Sequence, residues 1–371
     1  MKNFYTCLRM VLLVVVITLV ASCKGQSKSD TDTLDTPNLQ VQTNTTIGTI
    51  VTTIDNRIWV VFQDSNSNYW FGSNGKGLYH YDGKELRLIT TEHGLVDNTI
   101  RGIQEDSFGT IFIETSEGIS KYNGTSFTTL KPIVSPNNKW KLESTDLWFG
   151  YNANDLYRYA GDSLFELKLP RQDLTKAFGR EVARTPFESN NFSPYGVYGI
   201  DQDKDGNIWI GTVTAGAFRY DGISFIWIAE KELTVMPNGA VPGVRSMIQD
   251  KDGFLWLSNF KNRYKIESNS QTYEKLSGAE RSEGASEEKG SYFNSGLSDV
   301  NGDLWMTTYG GGVWKYDGTT ISNIEVKNDT EDVLLISIFQ DNEGVLWLGS
   351  DNDGIYKGNG VSFKKFEPNL K

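Results

Sequence analysis

The chain predicts an all-β fold: a seven-bladed β-propeller of four-stranded antiparallel blades over residues 46–368, preceded by a lipoprotein signal peptide and a polar tether. Three observations carry this expectation. A short pattern recurs seven times, each copy has the same strand-like surroundings, and its strands are apolar on both faces.

The pattern is clearest in "DKDGNIWIGT" at 203–212. Related stretches are "DSNSNYWFGS" (64–73), "DSFGTIFIET" (106–115), "DKDGFLWLSN" (250–259), "DVNGDLWMTT" (299–308) and "DNEGVLWLGS" (341–350), with a weaker copy, "ESTDLWFG", at 143–150. Each runs from Asp through turn residues to an apolar residue, an aromatic and then a small residue. The aromatics are Trp70, Phe112, Trp148, Trp209, Trp256, Trp305 and Trp347.

An apolar strand ending in Asp precedes most copies, as in "RIWVVFQD" and "LLISIFQD". A third strand follows, such as "GLYHYDG", "GAFRYDG" or "GVWKYDG", and then a fourth. Asp-Gly, Asn-Gly or Gly-Asp separates the last two, and these dipeptides supply the positive φ of tight hairpins. Four short strands at a period of roughly 40–50 residues are the mark of a propeller blade. In "NIWIG", Ile208 and Ile210 face one way and Trp209 the other, so the strand is expected to be buried on both sides, as between neighbouring blades.

The aspartates of "DQDKDGNIWIGT" (201–212) admit a second reading as a calcium loop formed by Asp201, Asp203 and Asp205. A helix–loop–helix site requires Glu at the twelfth position and a following helix, where this chain has Thr212 and a strand. The turn reading is preferred, with Gly206 supplying the backbone freedom.

The start reads as a secretory signal over 1–22, with Lys2 and Arg9 preceding the apolar run Val11–Val20. Val20-Ala21-Ser22-Cys23 resembles a bacterial lipobox, which implies diacylation of Cys23 and membrane attachment through that lipid. Cys7 falls in the removed segment, so neither a disulfide nor a cysteine-based metal site or nucleophile is expected. Residues 23–45 read as a disordered linker, and residues 46–54 are expected to pair with the last blade or cap the junction. The formal charge of −11, more negative once Lys2 and Arg9 are gone, makes nucleic acid an unexpected partner.

The repeat resembles the two-component regulator propeller repeat, on the strength of "DKDGNIWIGT" and "GAFRYDG". That resemblance implies the fold above and a periplasmic sensor module of the kind found in Bacteroidetes hybrid histidine kinases, many of which recognise polysaccharide fragments. After Phe366 only "EPNLK" follows, so the chain is expected to be a stand-alone, lipid-anchored member in the cell envelope, at the outer membrane and facing the periplasm or the surface.

Loop length distinguishes the two faces. Turns between first and second strands and between third and fourth are short, whereas the long insertions Arg171–Pro194, Ala229–Gly243 and Ser277–Ser291 share the opposite face. Function is expected there. Candidate ligand-binding residues are His93, Arg101, Trp140, Tyr198, Arg245, Tyr292 and Tyr309, with Phe187, Phe192, Tyr195 and Phe293 in the same loops or strand starts. Aromatics stack on sugar rings, and Arg holds hydroxyls or a uronate. Such aromatics also serve simply to plug a channel.

Two histidines, His80 and His93, leave little for catalysis, and no His-x-x-x-His spacing or Gly-x-Ser-x-Gly elbow appears. No enzyme activity, cofactor or metal is expected. The expected function is non-catalytic ligand binding or sensing, with an oligosaccharide as candidate ligand. The alternatives are a scaffold for an envelope protein and a metal-dependent propeller lyase using His93 with Glu92 and Asp97.

Overall fold

A computed structural model describes residues 47–134, 142–150, 156–179, 193–234, 243–266, 270, 272–279, 292–328 and 331–370. They form seven sheets, the blades of a seven-bladed β-propeller. Blade 4 shows the plan: Val197–Gln202 is innermost, followed outward by Ile208–Thr212, Ala217–Tyr220 and Phe225–Ile228. All seven pattern aromatics lie in the second strand and are buried. The one α-helix among the described residues, Leu174–Phe178, lies in the first long insertion.

The pattern Asp organises both its turn and the tryptophan six residues on. Asp203 accepts from the amides of Asp205 and Asn207 and, at 2.9 Å, from the indole N–H of Trp209. The same indole bond joins Trp70 to Asp64, Trp256 to Asp250, Trp305 to Asp299 and Trp347 to Asp341, at 2.7–3.0 Å. Gly206 sits at φ 82°. The Asp203 carboxylate is therefore committed to the turn, and among the described residues no cluster of acidic, His or Cys side chains is arranged to hold a metal.

Directly across the ladder, each pattern aromatic faces a basic residue of the third strand: His80, Lys121, Arg158, Arg219, Arg263, Lys315 and Lys357. Lys315 and Lys357 lie 4.9 and 4.8 Å from the rings of Trp305 and Trp347, within cation–π range. His80 packs on Trp70, with ring centroids 4.4 Å apart, and burial lowers its pKa. The indoles of Trp70, Trp209, Trp256, Trp305 and Trp347 are thus held at the edge by a carboxylate and flanked by a base.

The small residue two positions after the aromatic exists for the neighbouring blade. A Cβ on Gly211 would meet Val244 O at 2.1 Å, and one on Gly349 would meet Ile58 O at 2.6 Å. The first strand of the next blade presses against that backbone and leaves no room for a side chain.

Of the two expected arrangements for residues 46–54, pairing with the last blade is not seen, whereas Val51 and Ile54 do pack at the junction. Thr49–Ile50 adds a fifth, outermost strand to blade 1, antiparallel to Leu86–Ile89. Only Val51 and Ile54 reach the seam, packing into a cluster that includes Ile58, Phe71, Trp347 and Ile355. Among the described residues, no strand of one terminal blade enters the other's sheet. The ring closes instead through that cluster, extended by Phe366 and Leu370, and through Tyr69 to Asp341 (2.8 Å) and the Asn342 amide to Gln63 (2.9 Å).

Blade 3 departs from the plan. Its inner edge is Leu147–Phe149, the tryptophan strand, and its outer edge is Pro132–Val134, parallel to Ser163–Leu167. The innermost position has no strand among the described residues.

Candidate functional site

Trp59, Arg101, Tyr198 and Ile336 hold one position, five residues before the pattern Asp, in blades 1, 2, 4 and 7. At each of them the register of the innermost strand shifts by one. A bulge of this kind re-aims the extra side chain. Arg245 and Asn294 hold the same position in blades 5 and 6. These side chains form a ring at the channel mouth on the long-loop face.

Within this ring, neighbouring blades pair. The Arg101 guanidinium lies 4.5 Å from the Trp59 ring, and that of Arg245 lies 4.7 Å from Tyr198. The Trp59 indole donates to Asp351 at 2.6 Å, and Arg101 Nε donates to Ser116 Oγ at 3.1 Å. Burial and the charge of Arg245 lower the Arg101 pKa, while Asp97 and Glu114 oppose that shift. Two cations are thus held over aromatic rings.

A cavity of about 410 Å³ adjoins this mouth at the inner edge of blade 3, lined by Arg101, Gln104, Glu114, Trp148, Tyr198 and Asp201 among others. Three departures from the repeat coincide here. Glu114 stands where the other blades carry Gly, Ser or Thr, beside a blade whose innermost position has no strand among the described residues. Leu142 stands where the pattern Asp would be, so Trp148 Nε1 is buried without a hydrogen-bond partner. Blade 2 side chains serve the exposed sheet edge: Gln104 donates to Trp148 O at 2.7 Å, and Glu114 accepts from the Gly150 amide at 3.2 Å. Asp146, four residues nearer, pairs with Arg158 at 2.7 Å instead.

The carboxylates here are unusual. Burial pushes Glu114 up to about 7, against the Gly150 amide and Arg101. Asp201 keeps solvent contact through the channel, yet the surrounding protein raises it to about 6, with Asp203 adding to the rise.

Of the residues named from sequence, Arg101, Tyr198 and Arg245 come together at the mouth. His93 does not. Its Nδ1 accepts from the Thr90 amide at 3.1 Å in a capping box, and its Nε2 lies 3.4 Å from Thr49 Oγ1 on the outermost strand of blade 1. Tyr292 forms a bridge with Asn259, and Tyr309, 57% exposed, bridges to Leu334; neither lines the cavity. Tyr195 and Phe293 are core residues, the former hydrogen-bonded to Gln172. Cys23, Trp140, Phe187 and Phe192 lie outside the described residues, as do the signal and linker segments 1–22 and 23–45. The sequence reading missed Trp59, Gln104 and Glu114, and it considered Asp201 only for calcium. Counting back from the pattern Asp would have found Trp59, and the odd Glu in "IFIET" was the signal for Glu114.

Residues 191–214 match the family model described as two component regulator propeller. A search of curated proteins returned no match. Among solved structures, the chain resembles a B. thetaiotaomicron protein, BT4673, described as the extracellular domain of a hybrid two component system (22% identity, TM-score 0.54, 86% of this chain and 40% of that one). A second such domain, BT3049, aligns at 17% identity and TM-score 0.56, over 85% of this chain and 41% of that one. Virginiamycin B lyase from Staphylococcus aureus aligns at 13% identity and TM-score 0.56, over 83% of this chain and 97% of its own. The chain thus spans about two fifths of the regulator domains it resembles. At these identities the likeness is one of fold.

Proposed function

The chain carries the two component regulator propeller repeat, and from that premise we propose that it is a non-catalytic ligand-binding lipoprotein of the cell envelope, taking a small polar ligand such as an oligosaccharide at the long-loop mouth. The observation that carries this reading is the pair of stacked cations, Arg101 on Trp59 and Arg245 on Tyr198, above a polar cavity. Flat rings suit the apolar faces of sugars, and guanidinium groups suit hydroxyls and carboxylates. The extracellular placement of the B. thetaiotaomicron domains supports an envelope location, and no helix among the described residues is long and apolar enough to cross a membrane.

The lyase alternative loses support because His93 is engaged in a cap and His80 is packed on Trp70, both away from the cavity. A partner protein is favoured by one observation. Phe108, Ile223, Val300 and Val361 are 71–91% exposed at turn tips on the short-loop face.

The test is a thermal-shift and calorimetric screen of neutral and acidic oligosaccharides. A ligand at about 100 times its Kd adds about 2.7 kcal/mol. Arg101→Ala or Tyr198→Ala should then weaken binding about tenfold or more, while Asp252→Asn in the opposite turns leaves it unchanged. Affinity that responds to the short-loop face instead would overturn the placement. Attachment is tested separately: Cys23→Ala should abolish lipid labelling, and a Cys23→Ala protein still held at the membrane would refute the anchor.

A further inference from the structure

The bulged position of the innermost strand does not require a charge. Blades 1, 4 and 7 place Trp59, Tyr198 and Ile336 there, and blade 6 carries Asn294 at the equivalent place. Arg101 in blade 2 and Arg245 in blade 5 are therefore not demanded by the fold. Both are exposed at the channel mouth, in a chain whose formal charge is −11.

The surroundings hold Arg101 without neutralising it. Its Nε donates to Ser116 Oγ at 3.1 Å, and among the described residues its two terminal nitrogens have neither a hydrogen-bond acceptor nor an ion-pair partner. Asp97 and Glu114 act on its charge from beyond ion-pair distance, and each is already engaged: Asp97 accepts the Thr99 amide at 2.8 Å and Glu114 the Gly150 amide at 3.2 Å. Arg101 keeps solvent contact, yet the protein walls around it lower its pKa, and the charge of Arg245 adds to that. A guanidinium crowded by protein, opposed by a second cation and left with an open fork is costly unless an anion completes it. The aromatic partners are fixed in advance. The Trp59 indole donates to Asp351 at 2.6 Å, a carboxylate that also takes Arg57 Nε at 3.1 Å. Tyr198 lies against Gly243, where a Cβ would come within 2.5 Å of its ring. With Arg101 4.5 Å from Trp59 and Arg245 4.7 Å from Tyr198, both cations are positioned before any ligand arrives. Arg101 and Tyr198 line the same cavity, so the two pairs serve one opening.

We propose that this mouth is an oxyanion clamp: a carboxylate or sulfate ester of the ligand seats on the open fork of Arg101, with Arg245 adding its charge, so that the ligand is an acidic saccharide rather than a neutral one. This deepens the ligand-binding reading and rests on it. Carboxylate and sulfate both offer a guanidinium fork a pair of oxygens, and titration distinguishes the two sources.

The test compares saccharides that differ only in charge. Digalacturonate and its dimethyl ester share one skeleton, as do a 6-sulfated galactose disaccharide and its unsulfated parent. Calorimetry on the full propeller should show one acid binding at least about tenfold tighter than its neutral counterpart, with an affinity that falls as salt rises. Which acid does so identifies the source. Arg101→Gln should abolish the preference, Arg101→Lys should keep part of it by retaining charge without the fork, and Arg245→Gln should reduce it. Lys204→Gln, in a tight turn of the opposite face, should leave it unchanged. Without ligand, Arg101→Gln should melt no lower than the wild type. A fall of several degrees makes Arg101 a structural strut and overturns the clamp. Equal binding of acid and neutral forms, or a preference that survives Arg101→Gln and Arg245→Gln together, also overturns it, while a neutral saccharide bound at this mouth leaves the broader reading standing. If no saccharide binds, malonate is titrated as a bare dicarboxylate. Binding that is lost in Arg101→Gln supports the clamp for a non-sugar acid, and silence from malonate as well removes the clamp together with the ligand-binding reading.

Discussion

The hydroxyl of Tyr69 in the first blade donates to the carboxylate of Asp341 in the last at 2.8 Å, and the same carboxylate accepts the Trp347 indole at 2.7 Å. It also takes the amides of Glu343 and Val345. One buried side chain thus closes the ring, orients a tryptophan and shapes a turn. Asp341→Ala should cost about 3–5 kcal/mol, because several donors lose their acceptor at once. Asp106→Ala in blade 2 removes an acceptor from only the Phe108 and Thr110 amides, since the Phe112 ring carries no N–H, and should cost about 1 kcal/mol. Chemical denaturation of the two variants checks the difference.

Trp148 and Trp209 occupy equivalent positions but differ in one bond. Trp209→Phe deletes the indole donor of Asp203, whereas Trp148→Phe deletes a donor that has no partner. Both lose volume in a packed core. The hydrogen-bond loss should make Trp209→Phe worse by about 1.5–3 kcal/mol, read as a difference in unfolding midpoint.

Much of this was legible in advance for a physical reason. The repeat is local: Asp203 and Trp209 sit six residues apart, so the turn, the strand and the tryptophan are written in one short stretch. The bulged ring at Trp59, Arg101 and Tyr198 was only half legible, because a bulge depends on how one strand is opposed by the next. The cavity was not legible at all. It is lined by blades 2, 3 and 4 together, and the deviant letters Glu114 and Leu142 look like ordinary drift until those blades are seen side by side. His93 misled because a histidine near Glu92 and Asp97 suggests chemistry, while its ring in fact completes a capping box.

Stability should depend on pH through Glu114. Its carboxyl rises from the ordinary 4.5 to about 7 on folding, so between those values the native state binds more protons than the unfolded chain. Stability therefore falls as pH rises across that window. Glu114→Gln should match the wild type near pH 4 and exceed it at pH 8 by up to on the order of 3 kcal/mol. A stability gap between the two proteins that does not change with pH would contradict this assignment.

The blade-to-blade contact predicts opposite outcomes at equivalent positions. Gly211→Ala drives a methyl to within 2.1 Å of Val244 O and should cost about 1–3 kcal/mol. Glu114→Ala, at the equivalent position of blade 2, removes atoms instead of adding them and should fold with near-native stability. Melting temperatures of the two variants provide the check.

The seam between blades 1 and 7 contains no shared strand, and that has a consequence for how the chain is made. Each of these sheets is complete from contiguous sequence, so a blade can fold as soon as it leaves the ribosome without waiting for a distant partner. The one long-range event is the docking of two finished surfaces around Tyr69, Trp347 and Phe366. Synthesis of this protein is then a series of fast local steps ended by a single slow closure, and the vulnerable interval is the time when six blades stand as an open arc with both flanks exposed.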